Sequence, residues 1–125
     1  LHNLFNIVTR PEGEAEAVLI RAVEPLEGVE RMLPRRKLSL PKPQLTAGPA
    51  CLSQALGITR EDNRLSLQGE RIWVEGPENA LTTSQVARGP RIGVGYAEDH
   101  AELPYRFWER DSPWVSKPRK ESSSV

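Results

Sequence analysis

Among 125 residues there is one cysteine, Cys51, and two histidines, His2 and His100. No apolar run approaches the ~20 residues that span a bilayer. The single cysteine excludes an intrachain disulfide and fits a reducing compartment. Cys51, His2 and His100 are too scattered for metal-ligand spacing, so no metal is expected. No phosphate-binding P-loop and no G-x-G-x-x-G occurs, and two isolated histidines do not define a Ser/His/Asp set. No signal peptide is visible. These absences point to a soluble single domain with no membrane partner and no disulfide, metal or nucleotide-loop signature.

Formal net charge is zero, but the charges are segregated. Residues 12–30 hold six glutamates and a single basic residue, Arg21, whereas residues 31–60 hold six cations (Arg31, Arg35, Arg36, Lys37, Lys42, Arg60) and no acid. A basic segment of this kind attracts phosphates locally whatever the total charge, or else forms a solvated basic face.

Residues 4–9 and 17–23 read as strands joined by "RPEGEAE". The second is apolar on both faces and is expected at the centre of a sheet. A short helix is predicted over 25–33, ended by Pro34. Another is predicted over "PACLSQALG", capped by Thr46 or Gly48, with Pro49 at its start and Gly57 as its stop. Further strands are predicted at 71–76, 90–94 and 104–109, a loop at 77–85, and a frayed tail over 117–125. The sum is a single α+β domain with a curved, mainly antiparallel sheet and short helices. The chain opens at Leu1, directly in strand-like sequence, and further sequence is expected ahead of it.

Three positions stand out chemically. Arg21 interrupts "AVLI-AV", where a buried guanidinium needs a carboxylate or other acceptors; a structural ion pair with Glu24 or another glutamate of the 12–30 segment competes with an active-site role. Asn6 sits between Phe5 and Ile7, where its amide can satisfy a sheet edge or read a ligand. "GPRIGVGYAE" at 89–98 places three glycines in a strand-like run, either as a bulge or for close approach of a ligand backbone, with Arg88 and Arg91 favouring an anion.

"VLIRAVEPLEG" (18–28), "GPACLSQALGIT" (48–59) and "RIGVGYAEDHAELPYRFWERDSPWVS" (91–116) together resemble the alkyladenine, or 3-methyladenine, DNA glycosylases. The resemblance runs from Leu1 to about Ser116. It implies an enzyme that flips alkylated purines out of duplex DNA and hydrolyses the N-glycosidic bond, without metal or organic cofactor. Its implied partner is double-stranded DNA with alkylated or deaminated purines. A monomer is expected, located in the nucleoid or cytoplasm of a bacterium or the nucleus of a eukaryote. By the same resemblance Arg21 and the Ile92 carbonyl hold the attacking water, Asn6 disfavours guanine, and Leu19 lines the pocket. Leu1 and His2 fall just after the intercalating tyrosine's position, in the wedge that lies in the minor groove, and Gly93 lies at the DNA backbone; Arg91, flanking it, is a further candidate for binding DNA. Many family members carry a phosphate-contacting lysine at the position of Cys51, a charge that Arg35, Arg36 or Lys37 is expected to replace. The family's catalytic glutamate, pocket aromatics and intercalating tyrosine fall upstream of Leu1. The chain is therefore expected to be a C-terminal portion, inactive alone. The alternative is a DNA-binding module that kept the scaffold without the chemistry.

Overall fold

The computed structural model describes residues 2–93 and 100–122. Strands β1 (Asn6–Val8) and β2 (Ala17–Leu19) pair antiparallel. The turn between them uses Gly13 at φ 96° and closes with Thr9 N–H donating to Glu16 O at 3.1 Å. An exposed ion pair, Arg10 to Glu16 at 2.5 Å, bridges its base and contributes little in open solvent. The strands are shorter than the apolar runs that predict them. β2 is not central: its ladder has two strands, and Val18 is 52% exposed.

Past β2, Gly48 N–H donates to Arg21 O at 2.8 Å, and Ala22 bridges to Ala47. These contacts tie the exit of the hairpin to the helical layer. Helix α1 spans Val29–Arg36, starting four residues later than predicted. Gly28, at φ 76°, holds a left-handed conformation that breaks the chain just ahead of Val29. Pro34 lies inside α1 instead of ending it; it forfeits one intrahelical bond, to the carbonyl of exposed Glu30. Lys37, left-handed at φ 54°, closes the helix by donating its N–H to the Leu33 and Pro34 carbonyls.

Helix α2 (Pro49–Leu56) matches its local signals, with Pro49 in the first turn and Gly57 left-handed at the stop. Gly48 is its N-cap; Thr46 is fully buried and donates its hydroxyl to Val23 O at 2.6 Å. A 3-10 turn over Pro43–Leu45 completes this layer. Met32, Leu45 and Ala55 form the core, packed against Val29, Leu33, Leu38 and Trp114. Trp114 brings the C-terminal part of the chain onto the helices.

The strand predicted at 71–76 is absent; Gln68 and Trp73 form an isolated bridge, and Trp73 and Val74 are 54% and 63% exposed. With no neighbouring strand to continue the ladder, an apolar run alone does not make a sheet. Over 90–93, the described part of the strand predicted at 90–94, no strand forms; β3 (Val86–Gly89) ends just ahead of it, where Pro90 has no N–H to extend the ladder. β3 pairs antiparallel with β4 (Arg106–Glu109). The architecture is thus an α+β mix of two short helices and two small antiparallel ladders. The single curved sheet of the prediction is not formed among the described residues.

Of the tail predicted over 117–125, residues 117–122 are described, and Ser116 to Ser122 make contacts with the rest of the fold. Arg106 donates to the carbonyls of Ser116, at 2.8 Å, and Pro118, and Ser122 N–H donates to Arg88 O at 2.9 Å. Residues 123–125 lie outside the described residues.

Candidate functional site

Register brings two of the singled-out residues together. Asn6 and Leu19 are direct cross-strand partners, which places their side chains on the same face of the hairpin. Arg21 follows two residues after Leu19, its backbone held by Gly48. Its side chain is half-buried, and Nε is shielded from solvent with no hydrogen-bond partner among the described residues. Burial lowers the guanidinium pKa from its ordinary value. The ion pair with Glu24 is not formed: the ion pairs among the described residues join Arg10 to Glu14 and Glu16, Arg71 to Asp62, and Arg110 to Glu121. A desolvated N–H without an acceptor is costly, and Arg21 Nε has none among the described residues.

Arg106 was not singled out from the sequence. In "YRFWE" strand alternation puts Arg106 and Trp108 on one face and Tyr105 and Phe107 on the other; Arg106 is 6% exposed and Phe107 62% exposed, so the face with the arginine is the one enclosed. Its guanidinium lies 4.8 Å from the centre of the Trp108 ring and serves the Ser116 and Pro118 carbonyls. Burial lowers its pKa, and the neighbouring charges of Arg21 and Arg119 add to the effect. No local pattern announces those two carbonyl acceptors, which arrive from ten and twelve residues along the chain.

Ile92 and Gly93 lie in the bend after β3. Ile92 is half-buried. Gly93 is exposed at φ 72°, and a Cβ built there would meet nothing within 4 Å. The positive φ is what favours glycine here, and no described atom crowds the position. Arg91 donates to His100 O at 3.3 Å and stacks 5.5 Å from the centre of the Tyr105 ring. Val94 and Gly95 of the glycine-rich stretch, and Leu1, lie outside the described residues.

The basic run at the end of α1 is largely engaged within the fold. Arg35 donates to Ala55 O at 2.9 Å. Arg36 donates to Leu45 O at 3.2 Å, Gln44 O at 3.0 Å, Gln54 Oε1 at 2.7 Å and Cys51 Sγ at 3.2 Å. A guanidinium therefore reaches the Cys51 position from α1, although its hydrogen bonds serve helix packing. Lys37 is exposed. His2 is exposed and lines two clefts. One, of about 1000 Å³, separates β1 from the 58–72 segment and includes Phe5, Asn6, Arg60 and Arg64. The other, of about 610 Å³, includes Arg35, Cys51 and Gln54. Leu19, Arg21, Ile92 and Gly93 line neither of these two clefts, whereas Asn6 lines the first. No cluster of three or more His, Cys, Asp or Glu side chains that could hold a metal occurs among the described residues.

The family described as Methylpurine-DNA glycosylase (MPG) matches residues 1–113. A protein of Bacillus cytotoxicus named "Putative 3-methyladenine DNA glycosylase" is 43% identical over 125 aligned residues, covering 94% of this chain and 61% of the relative. A protein of the same name from Bacillus cereus strain G9842 is 41% identical with the same coverage. The chain thus spans 61% of the length of these curated relatives. On this match, carried by nearly the whole sequence, the chain belongs to the methylpurine-DNA glycosylase family.

Proposed function

We propose that this chain is part of a base-excision-repair glycosylase that flips alkylated purines from duplex DNA and hydrolyses the N-glycosidic bond. The observation that carries the proposal is Arg21: half-buried, lacking an Nε partner among the described residues, and placed just beyond the Asn6–Leu19 pair. In this reading Arg21 donates to the attacking water, and the Ile92 carbonyl accepts from it. Asn6 meets the base edge, where an amide N–H set against the exocyclic amino group of guanine leaves donor facing donor. At Gly93 no described atom lies within 4 Å of where a Cβ would stand, and in this reading the flipped nucleotide's backbone approaches there. An alkylated purine departs readily because its positive charge is relieved on leaving. The protein's task is then to stabilise charge on the sugar and to position water.

Single-turnover excision from duplexes carrying 3-methyladenine or hypoxanthine, measured on the complete protein, tests this reading. Release of the free base supports it. Duplex binding without base release would establish the DNA-binding module instead.

A further inference from the structure

We infer that residues 116–122 form a fixed cationic strap that contacts the phosphate backbone of duplex DNA; this rests on the glycosylase reading above. The segment is fastened along its length. Arg106 holds the Ser116 and Pro118 carbonyls, and the Lys120 carbonyl lies against Gly89 where no Cβ could fit. Arg110 takes the Glu121 carboxylate with two nitrogens, and Ser122 N–H donates to Arg88 O. None of these interactions uses the side chains of Lys117 or Lys120.

The strap carries Lys117, Arg119 and Lys120 within four residues, and outward-facing Arg88 stands beside it on β3. Arg119 directs Nε and Nη2 to the Val115 carbonyl, which orients its guanidinium and leaves N–H groups unused. Beyond Asp111 the only acid is Glu121, and Arg110 neutralises it. The net charge of the strap is therefore positive, with no competing carboxylate among these residues. Lys117 and Lys120 are exposed and have no hydrogen bond or ion pair among the described residues. Because the backbone beneath these cations is already tied down, binding a polyanion would not have to order it first. The strap also meets the buried Arg106, whose charge neighbours Arg21.

The test measures equilibrium affinity of the complete protein for a duplex containing the damaged base across a range of KCl concentrations. Removing one phosphate contact should flatten the slope of log K against log salt by about 0.9. Lys117→Gln/Lys120→Gln should flatten it by roughly 2, and addition of Arg119→Gln by roughly 3. If the triple variant fails to fold, the double variant decides, since neither lysine side chain is bonded to the described fold. A slope unchanged in the double variant, while the parent binds and excises, overturns the strap and leaves the glycosylase reading standing. A parent that binds no duplex overturns both.

Discussion

Replacing Arg36 with alanine should destabilise the fold well before it affects DNA binding. Arg36 reaches from the end of α1 to Gln44 and Leu45 in the 3-10 turn and to Cys51 and Gln54 on α2. The contacts to Gln44 and Gln54 are exposed and contribute little. Those to Leu45 O and Cys51 Sγ are half-buried, and Leu45 itself is fully buried. A hydrogen bond from a charged donor to a buried carbonyl is worth about 1.5–3 kcal/mol, and the thiol contact less. Truncation should thus cost about 2–3 kcal/mol. That loss is a large part of a typical domain's stability and lowers Tm by on the order of 10 °C. Urea denaturation of the complete protein gives the loss directly, and duplex affinity is measured on the folded sample. Arg36→Lys is the discriminating companion. Lysine keeps the charge but cannot serve four acceptors from a planar fork, so it should lose nearly as much stability as alanine. A stability loss below about 0.5 kcal/mol, with weakened DNA binding that lysine restores, would refute the clamp and make Arg36 a phosphate contact.

Gly89→Ala places a Cβ against the Lys120 carbonyl and 3.1 Å from Trp108 Cη2. It should release the strap, costing about 1–3 kcal/mol, and speed limited tryptic cleavage at Arg119 and Lys120; unchanged cleavage would contradict the packing. Arg21→Ala should slow single-turnover excision roughly 100-fold while changing duplex affinity far less; an unaltered rate would end its water-positioning role. Asn6→Ser should raise excision of guanine relative to alkylated purines by about tenfold, and unchanged guanine rejection would remove Asn6 from the pocket. The Asp62 carboxylate is held below its ordinary pKa by the Thr59 N–H and then by Arg71. A depressed carboxylate stabilises the fold above its unfolded pKa and loses that effect as pH falls through the folded value. The urea midpoints of the parent and Asp62→Asn should therefore differ at pH 6 and converge as pH falls below about 4; a gap that persists at low pH would contradict this linkage.

Local signals carried the parts of this protein whose causes are local. Pro49 and Gly57 bracket α2 because one fits a first turn and the other a left-handed stop, both written within the helix itself. The β1–β2 hairpin was legible from two apolar runs around a Gly-containing turn, and its register placed Asn6 opposite Leu19. Motifs in order along the chain were enough to indicate the family, which the match over 1–113 shows. Strand lengths depended on neighbours: β2 is apolar enough for a buried strand but has a single partner, and 71–76 has only an isolated bridge. Arginine roles were the least legible, because a guanidinium takes its meaning from its acceptors. Arg21 makes no ion pair among the described residues, Arg36 is held by two carbonyls of the 3-10 turn and two side chains of α2, and Arg106 is buried while Phe107 faces outward. Those acceptors come from residues up to 18 positions away, and Arg110 reaches the Ser84 carbonyl 26 positions back. Sequence alone determined the family, the hairpin and α2; tertiary structure alone decided which charges are enclosed, because enclosure depends on segments that meet only when the chain has folded.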